Sequence, residues 1–98
     1  MDLQSIIKQP NTTLIDVREP FEFAEGYAKG AINMPLQSVP KRLEELRRLK
    51  GPIVLYCRSG NRSGMAVNFL KAQGFTEVYN GGSLAAVQYF MIPDSTNV

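Results

Sequence analysis

The segment Ile53-Val54-Leu55-Tyr56-Cys57-Arg58-Ser59-Gly60-Asn61-Arg62-Ser63 holds the residues best suited to chemistry. An apolar run delivers a cysteine to a short polar loop, Gly60 lets the backbone curl, and a helical pattern opens near Asn61. The free N–H groups at that helix start face the loop's centre. A thiolate on Cys57 would be stabilised there by the positive end of the helix, by converging backbone N–H groups, and by Arg58 and Arg62. The chain has one cysteine and no histidine. Intrachain disulfides, paired-cysteine redox chemistry, zinc sites of Cys and His, Ser-His-Asp triads and Cys-His dyads are therefore excluded within the chain. The nucleophile must be activated without imidazole, and the sequence requires no metal or cofactor.

Two other readings of the segment are weaker. A lone cysteine is often a small buried hydrophobe, but arginines on both sides of Ser59-Gly60-Asn61 suit an anion cradle better than a buried strand end. A nucleotide-binding phosphate loop lacks its lysine and its glycine spacing here.

The elements that must position this loop are legible as apolar runs bounded by turn residues. Strands are expected at about Thr13 to Val17, Ala31 to Met34, Ile53 to Tyr56 and Glu77 to Tyr79. Helical patterns lie between them: a short opening helix from Asp2 to Lys8, and one started by Pro20 that ends near Gly26. Leu43, Leu46 and Leu49 form one apolar stripe within a helix from Lys41 to Lys50, whose basic residues form a solvated face interrupted by Glu44 and Glu45. A helix from about Asn61 to Gln73 ends at Gly74, and another runs from Ser83, its N-cap, to Phe90 after a Gly81-Gly82 turn. Alternating strands and helices predict an α/β domain with a mainly parallel sheet covered on both faces. In such sheets ligands bind beyond the carboxyl ends of the strands, where Cys57 falls.

At 98 residues, with 44% hydrophobic and 20% charged positions, the chain has the size and composition of one soluble domain, 1–98. A formal charge of +2 does not point to nucleic acid, and no apolar run approaches the length of a membrane span. A single free thiol fits a reducing, cytoplasmic setting. The segment from Pro93 to Val98 is expected to be loose.

The loop Cys57-Arg58-Ser59-Gly60-Asn61-Arg62-Ser63 resembles the active-site loop of the single-domain rhodanese family, which has the form C-R-S-G-x-R-S. Leu14 to Pro20 with Glu22-Phe23 and Gly26, Gly30 to Leu36, and Gly74-Phe75 with Val78 to Gly82 are similar to that family's other signatures. The resemblance implies a three-layer domain, with a central parallel sheet of four to five short strands between helices. It also implies transfer of sulfur through a persulfide on Cys57, with thiosulfate as a typical donor. Cyanide would be the acceptor in an assay, and a thiol or another protein's cysteine the acceptor in a cell. Tyr27 departs from the family's usual His, and Ala86 and Val87 stand where a Trp is common. Little chain precedes Asp16, so the first strand is expected to be a shortened edge strand.

Cys57 is thus the expected catalytic residue, and Arg58, Ser59, Gly60, Asn61, Arg62 and Ser63 are expected to bind the donor. Asp16 and Arg18 share the sheet edge and are expected in support. Asp16 either orients Arg62 and the loop or, with Glu19, caps the helix opening at Pro20. Phe23 and Tyr27 are candidates for the rim. A cysteine phosphatase or arsenate reductase is the nearest rival enzyme, but such enzymes resemble C-x5-R, whereas Cys57 to Arg62 is C-x4-R. A noncatalytic module on the same fold would usually have lost the cysteine.

Overall fold

The computed structural model describes residues 2–93. Residues 94–98, the greater part of the segment expected to be loose, lie outside the described residues. Four strands, β1 (Thr13–Asp16), β2 (Ile32–Asn33), β3 (Ile53–Cys57) and β4 (Val78–Ser83), form one sheet in the order β2-β1-β3-β4. Each neighbouring pair runs parallel. β1 therefore lies inside the sheet, with the two-residue β2 as its outer neighbour, so the expectation of a first edge strand is corrected.

Helices cover both faces, and strand alternation decides which side chains meet them. Ile15, Val17, Ile53, Leu55 and Cys57 point to one side and pack with Val39, Leu46, Ala66, Val67 and Leu70. These come from a 3-10 helix (Leu36–Arg42), α3 (Leu43–Arg47) and α4 (Asn61–Ala72). Leu14, Val54 and Tyr56 point to the other side and pack with Ile6, Ile7 and Val87 from α1 (Leu3–Lys8) and α5 (Leu84–Met91). Cys57 thus shares its face with α4, the helix that its own loop starts.

Two expected elements take a different form. The helix expected over Lys41 to Lys50 is instead a 3-10 segment running into the shorter α3, because Pro40 has no N–H to donate and interrupts α-helical bonding. The Leu43, Leu46 and Leu49 stripe still faces the core. Gly81 and Gly82 do not form a turn. β4 runs through them with a bulge, since Leu55 pairs with Asn80 and the next residue, Tyr56, pairs with Gly82. Ser83 then caps α5 as expected, its hydroxyl accepting from the Ala86 N–H at 3.0 Å.

The bulge explains the small residue at 81. A Cβ there would lie 2.8 Å from both Val54 Cγ1 and Val87 Cγ2, inside van der Waals contact. Val54 and Val87 are fully buried and have nowhere to move. Gly81→Ala is therefore expected to lower unfolding free energy by about 1–3 kcal/mol through overpacking. Urea denaturation monitored by circular dichroism measures this, and an unchanged midpoint would show that the β4–α5 contact has spare room.

Candidate active site

β3 ends at Cys57, and the next residues turn sharply into α4. Gly60 makes that turn as the N-cap of α4 in the left-handed region, with φ of 94°, which disfavours any residue bearing a Cβ. The turn folds the Gly60 N–H back onto the Cys57 sulfur at 3.0 Å. Ser63, one turn into the helix and fully buried, brings its Oγ to 3.4 Å from the same sulfur. Burial pushes the Cys57 thiol up. The Ser63 hydroxyl and the backbone N–H groups of Ser63, Ser59 and Gly60 outweigh that effect and hold the thiol below its ordinary value. The strongest lowering contributions are thus hydrogen bonds of the loop and helix start, where the sequence gives equal weight to arginine.

The two arginines differ in role. Arg58 is exposed and makes no hydrogen bond or ion pair with the described residues, so its guanidinium is available to a ligand. Arg62 is held by Glu22, with Nη1 to Oε1 at 2.7 Å and Nη2 to Oε2 at 3.0 Å. Glu22 belongs to α2 (Pro20–Ala24), where its Oε1 also accepts from the Glu19 N–H at 2.9 Å and so caps the helix. Ser59 and Asn61 are exposed beside the loop.

Asp16 does not reach Arg62. It follows Ile15 by one residue, so its side chain turns to the face away from α4, beside Tyr56, its partner in register. There it is fully buried and accepts from Arg18, from the backbone N–H at 2.9 Å and from Nη2 at 2.7 Å. Arg18 Nη2 also donates to the Gly26 carbonyl at 2.6 Å, and the Ala28 N–H donates to the Tyr56 hydroxyl at 3.0 Å. Asp16 and Arg18 thus form a brace for the segment from Gly26 to Ala28. Asp16 takes no part in capping α2, whereas Glu19 caps it as expected: Glu19 is the N-cap, and its carboxylate and that of Glu22 each accept from the other's backbone N–H in a capping box. Phe23 and Tyr27 stack with ring centroids 4.1 Å apart, and Tyr27 remains half exposed.

Asn80 is a neighbour of the site that the sequence reading leaves in a closing turn. Its Oδ1 accepts from Ser63 Oγ at 2.7 Å and its Nδ2 donates to the Gly60 carbonyl at 3.0 Å. Its signal in the sequence is only its place at the end of a strand parallel to β3. A cavity of about 400 Å3 opens at the opposite end of the sheet, beside Ile53 and Val78, away from this chemistry.

A family model described as the rhodanese-like domain matches residues 1–87. The chain belongs to the rhodanese family. It is 39% identical over 71 residues to the thiosulfate sulfurtransferase PspE of Escherichia coli, covering 71% of this chain and 68% of that protein. It is 49% identical over 67 residues to the protein YqhL of Bacillus subtilis, covering 68% of this chain and 52% of that protein, so it spans about half the length of that relative. Among solved structures, a rhodanese-related protein from Thermoplasma volcanium superimposes with a TM-score of 0.74 at 34% identity, covering 94% of this chain and 89% of that one.

The Glu22–Arg62 pair makes a pH prediction. Arg62 holds the Glu22 carboxyl down at about 2, helped by the Glu19 N–H. A folded pKa below the unfolded one contributes stability that is complete above the unfolded value, about 4.3, and is lost as pH falls towards 2. The Arg62 side chain is 32% exposed, so solvent screening leaves a contribution of about 1–2 kcal/mol at neutral pH. Glu22→Gln is expected to lose that amount at pH 7 and to show a shallower fall in stability below pH 4. Parallel acid limbs in the two proteins would contradict the pairing.

Proposed function

We propose that this chain is a sulfurtransferase that carries a sulfane sulfur on Cys57 and accepts it from an anionic donor such as thiosulfate. The Gly60 N–H lying on the Cys57 sulfur carries the proposal. It is a donor aimed at the atom that carries the thiolate charge, before the donor is attacked and again once the sulfur has been passed on.

In the first step the Cys57 thiolate attacks the outer sulfur of thiosulfate. A bond forms between the two sulfurs, the donor's own S–S bond breaks, and sulfite leaves with the electron pair. The outer sulfur remains on Cys57 as a persulfide anion. A nucleophile then attacks it and restores the Cys57 thiolate: cyanide, giving thiocyanate, or a thiol. Loop N–H groups stabilise the charge as an oxyanion hole does for oxygen, and Arg58, without a hydrogen-bond or ion-pair partner among the described residues, attracts the donor. Cys57 is fully buried beneath the loop, so the exposed tip at Arg58 and Ser59 must part from the sulfur for the donor to enter.

The commitment of Arg62 to Glu22 disfavours the phosphatase reading. That chemistry needs a guanidinium free to grip a tetrahedral oxyanion, and here both terminal nitrogens already bind a carboxylate.

Steady-state assay with thiosulfate and cyanide tests the proposal. Cys57→Ser is expected to abolish thiocyanate formation while the domain stays folded, because a serine hydroxyl has no comparable nucleophilicity. Arg58→Ala is expected to raise KM for thiosulfate about tenfold or more, the loss of one charge-assisted hydrogen bond, with little change in melting temperature. Turnover in the serine variant, or an alanine variant that melts early with unchanged kinetics, would contradict these roles.

A further inference from the structure

Asn80 lies outside the chemistry just described, yet it fixes the direction of a proton beside the sulfur. Its Oδ1 accepts from the Ser63 hydroxyl at 2.7 Å and from the Gly82 N–H at 2.9 Å. Its Nδ2 donates to the Gly60 carbonyl at 3.0 Å. The two backbone partners settle which end of the amide is oxygen. Turned over, the side chain would set its NH2 against the Gly82 N–H and its oxygen against the Gly60 carbonyl. A serine hydroxyl carries one proton. With that proton on Asn80, Ser63 Oγ presents only lone pairs to the Cys57 sulfur 3.4 Å away. Such a face accepts from a neutral S–H and offers nothing to an anion.

We propose that Asn80 is a positioning residue that holds the Ser63 hydroxyl proton while Cys57 is a neutral thiol and yields it to the sulfur when the thiolate forms. No covalent bond changes in this exchange. The proton stays on Ser63 Oγ, its acceptor switches from Asn80 Oδ1 to sulfur, and the Gly82 N–H continues to satisfy Oδ1. The resulting hydrogen bond exists only for the thiolate, so it favours the charged form without stabilising the resting thiol. The relevance to turnover rests on the sulfur-transfer reading; the partition of the proton does not.

The charged groups on the sulfur's side are Arg58 in the loop and Arg62 on α4 with Glu22 and Glu19 from α2, while Tyr56 and the Asp16–Arg18 pair lie on the other face of the sheet. All remain in the variants below, so their contributions cancel in the comparison.

The test is an ultraviolet titration of the thiolate, with the Cys57→Ser protein as baseline, which isolates the only thiol in the chain. Asn80→Ala frees the Ser63 proton for the sulfur, and the titration midpoint is expected to fall by about half to one pH unit, within the range of a hydrogen bond to a charged group. Ser63→Ala is expected to raise the midpoint. In the Ser63→Ala background, Asn80→Ala is expected to have no effect, since no proton remains to be partitioned. If Asn80 only braced the Gly60 loop, its loss would weaken the Gly60 N–H contact and raise the midpoint in both backgrounds. A rise in Asn80→Ala, or an equal shift in the two backgrounds, overturns the proposal. Asn80→Ser, too short to span to Ser63, carries the same expectations should the alanine variant unfold. Sulfur loading from thiosulfate is measured separately by intact mass. Absence of loading in the parent protein would sink the sulfur-transfer reading while leaving the titration result to stand or fall alone.

Discussion

The hydrogen bond from the Gly60 N–H to the Cys57 sulfur is the contact on which the arrangement of this domain turns. It requires the chain to reverse within three residues of a buried strand end, which puts Gly60 in the left-handed region and starts α4 immediately afterwards. Once α4 begins at Asn61, its buried positions Ser63, Ala66, Val67 and Leu70 fall on the sheet face that Cys57 shares with Leu55 and Ile53. The strand, the loop and the helix are thus one unit. Packing of α4 against the sheet holds the donors in place before any ligand arrives, which is the preorganisation that electrostatic catalysis needs.

The absence of histidine gives this unit its chemical meaning. With no imidazole to accept the thiol proton, ionisation of Cys57 depends on the surroundings of the sulfur alone. Burial opposes the charge, and hydrogen bonds from Ser63 and from backbone N–H groups outweigh it. The pairing of Arg62 with Glu22 then sets the two basic residues of the loop apart. Arg62 ties α2 to α4, while Arg58 is left to solvent. Asp16 and Arg18 do comparable structural work on the opposite face, where their buried ion pair holds the Gly26 carbonyl and the neighbouring Tyr56 hydroxyl holds the Ala28 N–H. Among the described residues no buried side-chain nitrogen or oxygen lacks a partner.

Much of this is legible in the sequence because local signals and tertiary requirements agree. Pro20 at a helix start, Ser83 as N-cap and the apolar runs of β1 and β3 each appear in the structure where they are expected. The loop is legible for the same reason: a strand, a cysteine, a glycine and a helix start occur in one uninterrupted stretch. What is not legible depends on partners far apart in the chain. Glu22 and Arg62 are 40 residues apart, and Asn80 and Ser63 are 17 apart. The place of Asp16 is legible locally, since its parity against Ile15 and Val17 sends it to the face away from α4 and so away from Arg62. The bulge at Gly81 was hidden because a Gly-Gly pair signals a turn as readily as a strand that must pass close beneath a helix.

The claim that Cys57 is a sulfur carrier is tested most directly by intact mass spectrometry of the protein incubated with thiosulfate and then with cyanide. The account predicts a gain of one sulfur atom, located on the peptide containing Cys57, and its complete removal by cyanide with stoichiometric thiocyanate. No added sulfur, or sulfur that cyanide does not remove, would contradict it.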